Sequence, residues 1–449
     1  MTGRQLHLNV NILASGAHPA AWRSPGGHPT AVVDIGHYQR VAREAERGLL
    51  DAVFLSDGVL LRGNVAAGPP ITALDPAVVV TAMALATERI GFIATVSTTF
   101  NSPYHIARTF SSLDHASAGR VAWNVVTTRD PGAGRNYGLA ELPPRTQRYA
   151  RAAESIEAVT ALWDSWEDEA LVADPASGVW ARTDLIHRID HIGPFHSVQG
   201  PLQIPRSPQG RPPLVQAGGS DTGRDLAARY ADAVFSPQQV LASARTYYAD
   251  IKSRARAYGR DPDTISVLPG LNPVVGSTED EARRRQRELN ALLGDDRLLA
   301  GFAARFGIDP AELDLDRPFP AHLLRPTGDT YGSQGFDDAA RDLISAAGHL
   351  TVRYLIDRGI AAHRVVVGAP EQIADDIERW FLGRGADGFN LQCDVYPGGL
   401  ADFVDHVVPE LQRRGLFRRE YAGTTLRDHY GLPRPRSRYA LTTAGEASR

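Results

Sequence analysis

At 449 residues the chain is long enough for one large domain or two ordinary ones. Its hydrophobic fraction of 43%, charged fraction of 22% and net charge of −4 describe a globular chain with mixed signs of charge, which excludes a disordered or fibrous protein and leaves no footprint for nucleic acid. A single cysteine excludes an internal disulfide and any multi-cysteine zinc or iron–sulfur site; no apolar run reaches the length of a membrane span, and MTGRQLHLNV opens without a long apolar region, so a cytoplasmic protein is expected.

In chain order, LHLNVNIL (6–13) reads as a strand, and Asp34 caps a helix whose apolar positions Ile35, Tyr38, Val41, Ala42, Ala45 and Leu49 keep helical spacing. DAVFLSD (51–57) is a short run of buried-strand type. Asp75 and Pro76 then stand in the order of N-cap and first helical residue, ahead of a helix that leads into IGFIATVSTT (90–99). SPYHIARTFSSLDHASAG is a helix feeding a strand at 121–128, and a long amphipathic helix follows over TQRYARAAESIEAVTALWDSW. Residues 170–210, rich in Gly, Pro and His, break the rhythm as an insertion with hairpin-like pieces.

The alternation resumes with PPLVQAGGS (212–220), a helix from Asp221, ADAVFS (231–236), a helix over 238–258, TISVLPGLNPVV (264–275) and a charged helix from Thr278. A second insertion at about 295–360 is mostly helical, with a loop around RPTGDTYGSQG. A helix over APEQIADDIERWFLGRGADG, the strand GFNLQCDV (388–395) and a helix at 399–415 complete the series. About eight strands, each followed by a helix, predict a (β/α)₈ TIM barrel over residues 1–430, with 431–449 as a loosely held tail. The rival, a doubly wound open sheet, lacks its G-x-G-x-x-G turn after the first strand.

Barrel active sites gather at the C-terminal ends of the strands, and here those ends are polar. The first runs into Ser15, His18 and Trp22, and the second ends at Asp57. The third carries Thr95, Ser97 and Thr98, the fourth Asn124, Thr127 and Thr128, and the last Asn390, Gln392 and Asp394. The fifth passes through Gly218, Gly219 and Ser220 into a helix, which outlines a phosphate site or, equally, a tight turn capped by Ser220 or Asp221. His187, His191 and His196 share one insertion but lack a metal-binding spacing, so no metal is expected. His105 reads as packed under the rim, WDSWEDEA as a solvated acidic helix end, and Cys393 as an inert buried thiol.

WNVVTT, ATVSTTFNSPYHIARTFSSLDHASAGR, IPRSPQGRPPLVQAGGS, VLPGLNPVVG and YPGGLADFVDHVVPELQRRGLF resemble the nitrilotriacetate and dibenzothiophene-sulfone monooxygenase branch of the bacterial-luciferase-like flavin-dependent monooxygenases, in order over about residues 5–430. The resemblance implies a barrel that uses FMN as FMNH2, with O2 as co-substrate. It also implies oxidation of a small organic substrate through a flavin (hydro)peroxide, a separate NAD(P)H:flavin reductase, and a homodimer or homotetramer. It places Asp57, Thr95, Thr127, Tyr149, Ala217, Gly218, Gly219 and Ser220 at the cofactor, and His18, Asn124 and His322 as catalytic candidates. Relatives often read Gly-His-His where this chain has Gly16–Ala17–His18, which puts the substrate in doubt. Hydride transfer with a flavin or deazaflavin on the same barrel, and non-catalytic flavin binding, are the alternatives.

Overall fold

The computed structural model describes residues 4–61, 63–323, 334–346, 350–359 and 363–440. Nine parallel strands run through it: β1 His7–Asn11, β2 Ala52–Leu55, β3 Gly91–Ser97, β4 Val121–Val126, β5 Leu214–Gln216, β6 Ala233–Ser236, β7 Ser266–Val275, β8 Arg364–Gly368 and β9 Gly388–Leu391. Eight of them close a barrel in the order β6–β5–β4–β3–β2–β1–β9–β7, with β7 returning to pair with β6. Nearly every residue of β1, β2 and β9 is buried, because helices cover the outer faces and the interior is filled. β2, AVFL, therefore reads as a continuous apolar run, while β1, HLNVN, alternates although all of it is buried.

The covering helices begin where the side chains predict. Asp34 accepts from Gly36 N ahead of α1 (Ile35–Arg47), Asp75 from Ala77 N ahead of α2 (Pro76–Ala84), and Ser102 from His105 N ahead of α3 (Pro103–Ala116). Those that bear on the site are α4 (Arg145–Asp164), α5 (Asp221–Tyr230), α6 (Leu241–Ala257), α7 (Glu279–Leu293), α8 (Asp295–Phe306) and α9 (Gln334–Ala346). The first insertion folds into two small antiparallel hairpins. The second carries α8 and α9 around its own apolar cluster of Phe302, Phe319, Ala340, Ile344 and Leu355. Most of its expected loop, RPTGDTYGSQG, lies outside the described residues.

Four sequence expectations change. The run RVVVG forms β8, which was not read as a strand; it pairs with the C-terminal half of the ten-residue β7, after β7 has paired with β9 at Gly270 and Leu271. WDSWEDEA is not a solvated face. Asp164 is fully buried and holds Arg206 at 3.1 Å, Arg438 at 3.2 Å and Arg211, while buried Glu167 holds His187 at 2.7 Å. The C-terminal segment is docked as far as Tyr439: Ser437 is buried with its hydroxyl on Asp164 O, and Tyr439 stacks on His187 at 4.4 Å. Residues 441–449 lie outside the described residues. His105, expected under the rim, is exposed on α3.

The bottom of the barrel is closed by the same segment. Leu426, Tyr430 and Leu432 pack among the inward residues Ala52, Phe54, Ile93, Ala122, Val215, Ala233 and Leu268, and the Tyr430 hydroxyl donates to Asn9 Oδ1 at 2.9 Å. Asp51, fully buried beside it, binds Arg418 and lies 3.1 Å from His7 Nδ1. Burial alone would raise the Asp51 carboxyl, but Arg418 and His7 outweigh it and hold it below the usual carboxylate range. With one end plugged, the other end is left for a ligand.

Candidate functional site

The C-terminal ends of β1 to β5 open onto a cleft of about 1900 Å³, whose walls also include the start of α4, the end of α7, Arg297 of α8 and Phe336 of α9. Ser15, His18, Trp22, Asp57, Thr127, Thr128, Tyr149, Ala217, Gly219 and Ser220 line it. Thr95 and Asn124 lie buried beneath. The Thr95 hydroxyl donates to Leu55 O at 2.7 Å and accepts from Asn124 Nδ2 at 2.8 Å. That leaves Asn124 Oδ1 buried with no partner among the described residues, an acceptor whose desolvation is unrepaid.

The polar end of β4 thus splits into two sets. Asn124 is tied inward, while Thr127 and Thr128 turn out of the strand. Thr128 takes φ +36°, its hydroxyl donating to Ser97 Oγ at 2.7 Å, and Thr99 Oγ1 donates to Thr127 O at 2.7 Å. A left-handed threonine costs on the order of 1–3 kcal/mol and persists because these bonds determine it. Across the cleft, desolvation and the Asp75 charge push the Asp57 carboxyl up toward its neutral form.

At the end of β5 a side chain on Gly218 would meet Gln216 Oε1 at 2.3 Å and Gly223 O at 2.7 Å, so only glycine makes this turn. The Tyr247 hydroxyl donates to Gly218 O. The Ser220 hydroxyl accepts from Gly223 N at 3.2 Å, capping α5, and an oxygen that accepts there still has its own proton to donate. Cap and anion site are therefore compatible, which joins two readings that the residues alone left as alternatives. The Tyr149 hydroxyl reaches the same turn, 3.3 Å from where a side chain on Gly223 would begin. Gly219 meets Gly335 of α9 backbone to backbone; a side chain there would come within 2.7 Å of the Gly335 Cα.

One cleft residue escaped the sequence reading. Arg148 is half-buried; its Nη1 donates to Pro143 O at 2.7 Å and its Nε is buried without a partner. Burial, with the neighbouring Arg145, lowers its pKa. α4 follows Pro144 at its N-cap position, with no side-chain cap and no acid in its first turn. A desolvated guanidinium at the positive end of a helix is unfavourable unless an anion comes to it. The signal was in RTQRYAR, which sets Arg145, Arg148 and Arg151 three apart with no acid between them.

His18 lines the cleft with both ring nitrogens engaged. Nδ1 accepts from Ala20 N at 3.1 Å, which makes Nε2 the protonated nitrogen, donating to Asn290 Oδ1 at 3.0 Å; Asn290 in turn donates to Asp357 Oδ1 at 2.9 Å. Burial lowers the His18 pKa against the opposing Asn290 bond, so the ring is neutral. The loop carrying it is stitched to the segment after β9 by Ala17 N to Cys393 O at 2.8 Å and Tyr396 N to Ser15 O at 2.6 Å. Gly16, at φ +151°, passes so close that a side chain would fall 2.1 Å from Asp394 O. His322 is not brought to this site: it is exposed, in the turn Ala321–Leu323, and absent from the cleft wall.

Nor does the structure bring Asn390, Gln392 and Asp394 to the wall; Asp394 is spent on a buried pair with Arg285. His187, His191 and His196 separate onto Glu167, Glu154 and Ser155, and the described residues contain no group of three metal-ligating side chains. No helix among the described residues is long and apolar enough to cross a membrane.

Residues 15–388 match the family model described as luciferase-like monooxygenase. The chain is 41% identical to nitrilotriacetate monooxygenase component A of Aminobacter aminovorans, over 97% of this chain and 98% of that one. It is 40% identical to dibenzothiophene-sulfone monooxygenase of Rhodococcus erythropolis (strain XP), over 96% and 98%. Among solved structures it superposes on EDTA monooxygenase from Chelativorans sp. BNC1 with TM-score 0.81 and 35% identity, over 96% of this chain and 99% of that one. A riboflavin lyase solved with modified FMN and riboflavin gives TM-score 0.80 and 30% identity, over 96% of each. A match this long, on a closed parallel barrel with its polar cleft at the C-terminal rim, makes the chain a member of the luciferase-like monooxygenase family.

Proposed function

We propose that the cleft binds FMN in its reduced form, FMNH2, and that the protein uses O2 to oxidise a small organic molecule as the oxygenating component of a two-component system. A separate NAD(P)H:flavin reductase supplies the FMNH2, and the assembly is a cytoplasmic homodimer or homotetramer. The observation that carries the reading is the donor set at the end of β5. The turn Ala217–Ser220, the N-terminus of α5, the Tyr149 hydroxyl and the unpartnered Arg148 Nε form a place for a phosphate dianion.

Reduced flavin supplies the oxygen-activating chemistry when bound. The chain's residues hold and surround it. Ser220, Tyr149 and Arg148 take the phosphate, while Thr127, with Thr95 behind it, and Asp57 face the ring end of the cleft. Asn124 Oδ1 offers an acceptor to a ring N–H. Apart from Arg148 and Asp57 these groups are uncharged, which suits a site that must exclude water around the ring. His18, neutral and bonded at both nitrogens, shapes the cleft and does not abstract a proton unless one of its two bonds opens. His322 takes no part.

Fluorescence titration of FMN tests the placement of the phosphate. Ser220→Ala and Tyr149→Phe each weaken binding by about 1 kcal/mol, roughly fivefold, the size of one hydrogen bond. Unchanged affinity in both variants would overturn the assignment.

A further inference from the structure

His18 is held from behind by a line of hydrogen bonds that runs out of the cleft and into the second insertion. Its loop lies on α7: Ala21 packs with Leu289 and Leu292, and the Arg23 guanidinium donates to Leu292 O. On the same helix Asn290 Oδ1 accepts from His18 Nε2 at 3.0 Å, and Asn290 Nδ2 donates to Asp357 Oδ1 at 2.9 Å. Gln286, four residues before Asn290 and on the same face of α7, donates to Asp357 O at 2.9 Å. Asp357 ends the short helix Val352–Asp357 of the second insertion, so both its carboxylate and its carbonyl are fastened to α7.

The direction of every bond in this line is set, and from both ends. A carboxylate only accepts, so Asn290 turns its amide nitrogen to Asp357 and its oxygen to His18, which must then carry its proton on Nε2. At the other end Ala20 N is a backbone donor, so His18 Nδ1 must be the bare nitrogen, in agreement. The ring N–H therefore points at α7, and the carbon edges are left for the cleft that the ring lines. Burial lowers the pKa of the ring and the Asn290 bond raises it; of the charged groups nearby, Arg283 and Arg353 act on Asp357, and Arg297 shares the cleft wall. An acid in the last turn of a helix faces the negative end of the dipole, and burial pushes the Asp357 carboxyl up. Helix stability alone does not call for an acid there.

We propose that Asn290 and Asp357 are positioning residues for His18: they hold its proton outside the cleft, and they make the second insertion the element that decides where that proton points. While Asp357 stays in place, His18 presents a neutral ring without an N–H to whatever the cleft holds. Withdrawal of Asp357 by the length of one hydrogen bond frees the Asn290 amide to turn, and His18 Nε2 is then released toward the cleft. The bonding stands on the geometry alone; its bearing on the reaction rests on the flavin reading above.

Proton and nitrogen NMR of the full chain, labelled at histidine and with His18 assigned by its loss in His18→Gln, tests this with and without FMN. The native protein shows the Nε2–H tautomer with a slowly exchanging ring proton. Asp357→Leu, which removes a group that does not touch His18, and Asn290→Leu each speed exchange of that proton at least roughly tenfold. Asp357→Asn, whose amide oxygen still accepts from Asn290, stays within about twofold of native. Asn290→Asp sets a carboxylate against the ring and makes His18 hold its proton at least roughly tenfold more tightly. A native His18 protonated at Nδ1, exchange in Asp357→Leu within about twofold of native, Asp357→Asn behaving like Asp357→Leu, or no gain in proton affinity in Asn290→Asp would each overturn the proposal while the flavin reading stood. Native protein that fails to bind FMN would overturn the flavin reading and the role in the reaction with it, and the ring signals of the free protein would still decide the bonding.

Discussion

Ser220 shows how one oxygen serves two purposes: its lone pair caps α5 and its proton is left for an anion. Such compact use explains which residues could be read from the sequence. Asp57, Thr127, Tyr149 and Ser220 stand in recognisable local patterns and all reach the cleft wall. Arg148 did not stand out, because one arginine in a charged helix looks like any other until the depth of its burial is known. His322 could be placed only by its rough position in an insertion, where local sequence says little about direction.

His363 was equally invisible. It is buried between Phe235, at 4.7 Å, and Phe336 of the cleft wall, at 4.8 Å, with Nδ1 lacking a partner. Burial lowers its pKa from 6.5 to about 3. Between those values the unfolded chain binds a proton that the folded chain refuses. The stability associated with this ring is therefore complete above pH 6.5 and drains away as pH falls toward 3. His363→Phe is predicted to lose less stability than the native protein between about pH 7.5 and about pH 4.5, read from urea midpoints. An equal loss in both would show that His363 titrates normally.

At the level of elements, the repeating strand–helix order was legible because barrel strands buried on both faces are short apolar runs between capped helices. β8 was missed for a physical reason. It lies at the end of an insertion and pairs only with the far half of β7, as a ninth strand outside the closed ring of eight, so counting eight strand–helix units leaves no place for it. Asp164 was misread because an acidic cluster at a helix end is usually solvated, and its arginine partners lie 42, 47 and 274 residues away. These partners make it the clamp joining α4, the first insertion and the C-terminal segment. Asp164→Asn removes the charge while leaving buried Arg206 in place, and is predicted to destabilise the protein by about 3 kcal/mol in urea unfolding. A change near zero would mean that the arginines find water instead.

Across the whole molecule the two ends of the barrel have opposite fates. The C-terminal segment seals one with Leu426 and Tyr430, and at the other the second insertion adds Arg297 and Phe336 to the cleft wall. α9 rests on the Gly218–Ser220 turn through Gly219 and Gly335, so the second insertion and the proposed phosphate site share one surface. None of this long-range closure could be read from sequence periodicity, which reports only neighbours along the chain. The family relation and the geometry meet in a single claim: reduced flavin held in this cleft reacts with oxygen under the protein's control. The most direct measurement is to mix the protein anaerobically with photoreduced FMN, admit oxygen in a stopped-flow spectrometer and follow flavin absorbance. The account predicts a protein-bound flavin whose reoxidation differs in rate and spectrum from that of free FMNH2, and a return toward the free behaviour in Ser220→Ala. Reoxidation indistinguishable from free FMNH2 in the native protein would contradict it.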